Sequence, residues 1–441
     1  MTDDENKTEF LIQEYECGEK ANIYQIDHEQ KAKHLSTKKS KSHTSLTSLF
    51  RAFFYPDNYP LGVSSDYGIY QLYNIVQTGC IAISGSFAFS ALFRAMGVGK
   101  TASNYLAASI VWLLRDGAGM IGRIIFAWGF AASLDADCKR WHFLGDVLND
   151  VACVSDMITP YFPSALLFIS SISNICRSVT GVIHGSTRTV IFQHQARNNN
   201  LADIAAKCSS LETMVSLVAL FVNVVLLATL PETSIWPIFL VLTAGHLWAT
   251  YKAKRCILFN LFNRQRFHLV CSEYFKTNGR QTLSIEEVND REPILFKTSF
   301  PYRSHIGVSL KHIPEKIFPS QKQLKNFHSN DYERFLILHD QSSNTFYVLL
   351  RTNSDTDDLI RLNFFIEIIS YAMNSTTEEN FNEEFQSLVN RIQKQLPDLN
   401  LCLTILHEDN DRCYEQFKQV CLAQGYNFHR CLFDIGIYRI H

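Results

Sequence analysis

The sequence predicts an α-helical multi-pass membrane bundle of about six helices followed by a soluble α+β sandwich domain. Three observations carry that expectation. Two runs of 19 residues, Thr213 to Pro231 and Thr233 to Tyr251, contain no Asp, Glu, Lys or Arg and are separated by Glu232 alone. Charge is segregated along the chain: no acidic or basic residue occurs from Gly68 to Phe93 or from Met157 to Cys176, whereas the first 50 residues and everything after Tyr251 are densely charged. Beyond about residue 291, short runs rich in β-branched and aromatic residues alternate with stretches of helical apolar spacing.

The two 19-residue runs read as a membrane hairpin. At about 1.5 Å of rise per residue, each is just long enough for a hydrocarbon layer of about 30 Å. Pro231 and Pro237 are expected to flank its turn, because proline interrupts a continuous helix. Whole-chain averages hide this pattern, since hydrophobic residues at 46% and charged residues at 19% would suit a large soluble protein. The net charge of -2 gives no reason to expect a nucleic-acid partner.

Residues 1–48 read as a flexible polar tail with a basic stretch at Lys31, Lys33, Lys38, Lys39 and Lys41. Its acidic start lacks the apolar core of a secretory signal. Helices are expected at about Tyr70 to Phe93, Ser103 to Ala131, Trp141 to Ile158, Phe162 to Ile183, Thr213 to Leu230 and Ile235 to Tyr251. The fourth and the last two are the most apolar, and Asp146, Asp150 and Asp156 interrupt the third. The N-terminal lysines and Lys252, Lys254, Arg255, Arg264 and Arg266 place both soluble ends on the cytoplasmic face, against Arg94 and Lys100 in the first connection. Small residues at Gly79, Ser84, Gly85, Ser86 and Ala88, and at Gly117, Ala118, Gly119 and Gly122, would let helix backbones approach closely in lipid.

Residues 49–255 form the expected membrane domain, 256–291 a polar linker and 292–441 a cytoplasmic α+β domain. In the last, strands are expected at Ile306 to Leu310, Phe335 to Leu338, Phe346 to Arg351, Leu401 to Leu406 and Leu432 to Tyr438, and helices at Asp358 to Ala372 and Asp411 to Ala423. The twelve cysteines show no two-residue spacing of zinc or redox sites, so they read as reduced thiols without a metal. No cofactor motif and no recognisable catalytic constellation is present, which leaves no positive ground for an enzyme.

Ionisable residues inside a spanning segment are functional-site candidates, because charge in lipid is costly. Arg115, Asp116 and Arg123 surround a glycine-rich stretch of the second helix, loosely resembling the short loop motif of major facilitator transporters. His142, Asp146 and Asp150 are spaced four apart, hence on one face of the third. Arg115, Arg123, Arg177 and Arg188 are their expected partners, either in a charge network that fixes the fold or along a proton or anion pathway.

The most specific stretch runs through Gly185, Ser186, Thr187, Arg188, His194, Ala196, Asn199, Asn200, Ala202, Asp203, Ala206, Lys207, Ser210, Glu212 and Thr213. It reads as a polar cytoplasmic loop between two apolar spans, with Arg188, His194, Asn200, Asp203, Lys207 and Glu212 closing that side of the bundle as a charge and hydrogen-bond network. Arg188 and Lys207 are expected to meet Asp203 and Glu212. This stretch resembles the signature of the root UVB sensitive (RUS) family. Tyr55, Pro56, Asp57, Asn58, Tyr59 and Pro60, continuing to Val63, Asp66, Tyr67, Tyr70 and Gln71, resemble its opening motif. Arg115 to Arg123, Asp146 to Asp150, Pro160 and Pro163 follow in the family's order. Leu211 departs from a common Gln, and His184 from a common Gly.

The resemblance implies an integral membrane protein of the RUS family without an established enzymatic reaction. Connections of plant members with ultraviolet-B responses, vitamin B6 homeostasis and auxin transport imply a transporter-like bundle for a pyridoxal-type or indole-type metabolite. The expected partners are the lipid bilayer, such a metabolite, and another RUS-family or membrane protein. The alternative is a non-enzymatic membrane scaffold that recruits protein partners through the C-terminal domain.

Overall fold

The computed structural model describes residues 10–16, 19–26 and 32–37 as backbone, and residues 53–97, 105–296, 299–329, 334–374, 412–436 and 438–440. The basic cluster and Lys100 fall wholly or in their side chains outside these residues, as does the expected strand at Leu401 to Leu406. The chain divides into two compact units: Met1–Arg123 with Leu144–Ile257, and Ile124–Phe143 with Leu258–His441.

The N-terminal segment corrects one expectation. In place of a flexible tail, β1 (Phe10–Glu16), β2 (Glu19–Ile26) and β3 (Ala32–Thr37) form an antiparallel sheet in the order β1-β2-β3. Ile12, Tyr15, Ile23, Tyr24 and Ile26 supply the β-branched and aromatic character that strands favour. The surrounding charge masked that signal.

Six long helices follow: α1 (Tyr67–Ala95), α2 (Tyr105–Ala136), α3 (Cys138–Ile158), α4 (Leu166–Gln195), α5 (Leu201–Thr229) and α6 (Glu232–Arg255). All six expected helices are therefore present as helices. Three stretches are long and apolar enough to cross a membrane: Tyr67–Ala95, Pro163–Gln195 and Leu201–Thr229. The sixth was expected among the most apolar but is not one of them, because Trp236, Pro237, His246 and several Ser and Thr residues dilute its Leu, Ile and Val content. Pro237 also lies inside α6 rather than at the turn, which is made by the extended residues Leu230 and Pro231.

The first unit is built around α1, which packs along α5 and α6. Its packing turns large apolar side chains outward. On α5, Leu217, Val218, Phe221, Val224 and Val225 are exposed while Asn223 is buried. Close approach of α2 and α4 rests on small residues, as expected. A Cβ on Gly119 would stand 2.5 Å from Asn174 Nδ2, and one on Gly122 would stand 2.8 Å from Ile175 Cγ2, whereas Gly117 faces open space.

The second unit has the opposite pattern. Its sheet has the order β4-β6-β5, where β4 (Arg303–Ile306) runs parallel and β5 (Phe335–Asp340) antiparallel to β6 (Thr345–Leu350). Phe346, Val348 and Leu350 share one core with Phe364, Ile366 and Ile369 of α10 (Thr356–Asn374), which follows α7 (Arg264–Lys276), α8 (Ile285–Arg291) and α9 (Gln321–Ser329). Residues 412–423 form α11, which contributes Tyr414 and Phe417 to that core.

Residues 256–291 are therefore not a linker. Phe267, Val270, Cys271 and Tyr274 line one face of α7 at helical spacing and are buried, and Ser284 with Glu287 forms a capping box that starts α8. The described residues of the segment 432–438 form no strand either. It runs beside β4, where Gly436 N donates to Ile306 O and Tyr438 N to Gly307 O, but a close Gly307–Gly436 backbone crossing prevents a regular ladder. Gly307 has φ of 69°, which ends β4 before the expected Leu310.

Candidate functional site

Polar residues in the first unit recur at helical spacing on inward faces. Gln71, Asn74 and Gln77 line α1 three residues apart, and His246, Thr250 and Lys254 line α6 four apart; all are buried. A helix whose apolar face looks outward and whose polar face is buried suits lipid better than water. Four groups of polar side chains lie in this interior, beside the apolar cluster around Phe87 and Phe239.

At its centre α3, α4 and α6 bring together Asp146, Asp150, His184 and His246. His184 Nε2 lies 3.2 Å from Asp146 Oδ1, and His246 Nε2 lies 3.9 Å from the same oxygen. His246 Nδ1 lies 2.9 Å from Asp150 Oδ2. The expectation that Asp146 and Asp150 share a face is met. His142 is buried one turn earlier on the same helix. His184 and His246 went unrecognised as site members, although His246 interrupts an apolar run at four-residue spacing with Thr250 and Lys254.

Towards α5, Arg188 pairs with Glu212, whose carboxylate also accepts from Asn74 Nδ2 at 2.9 Å. The buried Cys208 thiol lies among Gln71, Asn74 and Arg188, and Gln77 Oε1 accepts from Thr250 Oγ1 at 2.9 Å. Towards the other end, Arg177 meets the fully buried Asp156 at 2.6 Å and covers Phe89. Arg115 is buried over Trp112 with Asp116 3.8 Å away, while Asn174 Nδ2 donates to both Arg115 O and Asp116 Oδ1. Arg123 is exposed and is not drawn into this group.

The signature stretch differs from expectation in form and in partners. It is helical up to Gln195 and again from Leu201, so only residues 196–200 connect the two helices. Hydropathy marks where an apolar layer ends, and a helix can continue past it. Arg188 meets Glu212 as expected, but Asp203 does not join them: its Oδ2 accepts from the Asp57 backbone N–H at 2.8 Å. Asn200 Nδ2 donates to Gly62 O, and His194 Nε2 lies 2.9 Å from Asp66 Oδ2, to which Ser64 is also bonded through Oδ1. Lys207 has contacts of its own. Signature and opening motifs are thus stapled together by His194, Asn200 and Asp203. Residues more than 120 positions apart supply these bonds, which local pattern could not reveal.

Comparison with known proteins places this geometry in context. Residues 40–278 match a vitamin B6 photo-protection and homoeostasis domain, and residues 281–441 match the C-terminal domain of root UVB sensitive proteins. RUS family member 1 of Dictyostelium discoideum is 34% identical over 331 residues, covering 73% of this chain and 62% of that protein. Protein root UVB sensitive 3 of Arabidopsis thaliana is 34% identical over 55% of each chain, and its paralogue root UVB sensitive 6 is 26% identical over 76% of this chain and 66% of that one. The chain thus spans between about half and two thirds of these relatives' lengths. No solved structure matches it.

Proposed function

Because the chain belongs to the root UVB sensitive family and carries its vitamin B6 photo-protection and homoeostasis domain, we propose that its helical unit works in a bilayer as a non-enzymatic, transporter-like bundle for a small metabolite. The supporting observation is the inverted helical unit, with Phe221, Val224 and Val225 exposed and Asp146, Asp150 and His246 buried. A helix interior that keeps ionisable groups hydrogen-bonded offers a polar route through an apolar layer. Pyridoxal-type compounds form the first substrate class and indole acids the second, on family resemblance.

All six helices cross the membrane in this reading, with both soluble ends cytoplasmic. Arg94, one of the two basic residues against that orientation, lies 2.9 Å from Glu232 at the foot of α6, so the hairpin end supplies its counter-charge. A cysteine introduced at Glu232 should react with an impermeant reagent added outside intact cells. Protection there, with labelling of the C-terminal domain, reverses the orientation.

Full-length protein in vesicles should take up labelled pyridoxal vitamers or indole acids in a saturable manner, and Arg188→Gln should abolish that uptake. The second reading is a scaffold whose C-terminal domain recruits membrane or RUS-family proteins. It is favoured by the separate aromatic core of the second unit. A flat response across both substrate panels would move the assignment to the scaffold.

A further inference from the structure

We propose that residues 308–328, the layer on the face of the second unit's sheet opposite α10, form a docking surface for an anionic lipid bilayer. The pleat of the sheet sets that layer in place. Ile337, Phe346 and Val348 point into the core shared with α10, so the alternate residues Leu338 and Leu349 point the other way, where they form a second cluster with Ile313, and Ile317 and Leu324 pack against it. The layer runs through two single-turn 3₁₀ helices, Leu310–His312 and Glu315–Ile317, and then α9. On α9, Leu324 and Phe327 are turned towards the unit, and Lys322 and Lys325 are exposed on the other side.

Charge is the first argument. Lys311, Lys316, Lys322 and Lys325 are all exposed, and Glu315 is the only acid between Val308 and His328. Among the described residues, none of these four ammonium groups has an ion-pair or hydrogen-bond partner. The fold therefore displays a block of positive charge that it does not itself use. Near an anionic bilayer each such lysine raises the partition about fivefold, an attraction that fades within a Debye length and is screened by salt.

Apolar exposure is the second. Phe318 is 47% exposed between Lys316 and Lys322, Leu310 is exposed beside Lys311, and the exposed ring of Tyr438 stands 6.4 Å from that of His312. Single exposed apolar residues on a soluble surface need no explanation. Aromatic and aliphatic side chains set among unpaired lysines are different, because that mixture suits a membrane interface: rings and alkyl chains sit at the headgroup level and ammonium groups meet lipid phosphates. The lysine stems add further alkane to the contact. Since Ile313, Ile317 and Leu324 already hold the layer against the sheet, docking requires little new ordering.

The test mixes full-length protein, kept soluble in a non-ionic amphipol, with sedimentable vesicles of phosphatidylcholine, with or without phosphatidylserine. Wild type should sediment with the anionic vesicles, much less with the neutral ones, and be released as salt is raised. Lys316→Gln and Lys322→Gln should each weaken binding to anionic vesicles about fivefold, and the double variant about twenty-fivefold. Phe318→Ser should weaken it with the salt dependence unchanged, and Lys276→Gln on α7 should bind like wild type. All of these positions are exposed, so thermal melting should be unaltered. Insertion of the helical unit into the vesicles contributes equally to wild type and variants and cancels in the comparison. Equal binding to neutral and anionic vesicles overturns the proposal, as does a double lysine variant that binds like wild type. Tighter capture of a single-stranded oligonucleotide than of anionic vesicles, with Phe318→Ser binding the vesicles like wild type, makes the surface a polyanion site and overturns the lipid assignment. Neither uptake nor the orientation of the helical unit enters the readout.

Discussion

Both units bury ionised groups, but the surroundings are reversed. In the second unit, whose core is a cluster of Phe, Ile and Val, the buried Glu292 sits between Lys139 at 3.1 Å and Arg266 at 3.9 Å and accepts from Asn263. Burial pushes its carboxyl up, but the charges of Arg266 and Lys139 overcome this and hold it at about 2. In the first unit charged and amide side chains share the interior with an apolar cluster around Phe87, Met157 and Phe239, while many other Phe, Leu and Val side chains face outward. Water is the better solvent for charge and lipid for alkane, and the outward apolar faces of the first unit include three stretches long and apolar enough to cross a membrane.

The largest expected effect breaks the buried ion cluster of the second unit. Glu292→Gln leaves Lys139 and Arg266 sharing no anion from that position and should cost about 3–5 kcal/mol, read as a fall in the chemical-denaturation midpoint of that unit. The same substitution should remove an acid limb. A carboxyl depressed in the folded state contributes stability above its unfolded pKa of about 4.3 and loses it as pH falls towards 2. A wild-type stability curve that is flat between pH 5 and 2 contradicts this assignment.

Next comes the crossing that shapes the sheet edge. Gly307→Ala forces a side chain into left-handed backbone and sets a Cβ 2.6 Å from Gly436 O. The cost should be about 1–3 kcal/mol, with uptake by the helical unit retained. Loss of uptake at unchanged expression would show that the two regions are not separable in function.

Smaller effects sharpen the map of the helical unit. Arg188→Gln and Glu212→Gln should be non-additive by about 0.5–1 kcal/mol in detergent melting, because they share a bond. Arg188→Gln with Asp203→Asn should be additive, since Asp203 is bound to the Asp57 backbone instead. Additivity in both pairs would dissolve the network into independent contacts.

The smallest effect is a pH dependence in the second unit. Burial lowers the affinity of His268 for a proton, but Glu367 at 2.9 Å reverses this, so the imidazole titrates above its ordinary range. A raised folded pKa contributes stability fully present below about pH 6.5 and lost as pH rises through the folded value. His268→Gln should flatten that decline in a thermal melt taken from pH 6 to 9.

The positions of the helices were legible because hydropathy and period are local properties. The same is true of Asp146 and Asp150 sharing a face, and of the helical spacing of Phe267, Val270 and Tyr274, although polar neighbours disguised the last as a linker. What could not be read was which inward faces meet. Asp66 with His194, Asp150 with His246 and Gln77 with Thr250 are separated by 128, 96 and 173 residues. Rotation of each helix about its own axis, set by close contacts such as Gly119 against Asn174, decides those pairs. The sequence by itself therefore determined the segregation of apolar from charged segments, the six helices and the family motifs, since these follow from composition and spacing along one strand of chain. Tertiary structure alone decided that the signature is helical and stapled to the opening motif, and that two histidines join two aspartates. Such partners depend on the packing of distant segments, which local periodicity does not encode.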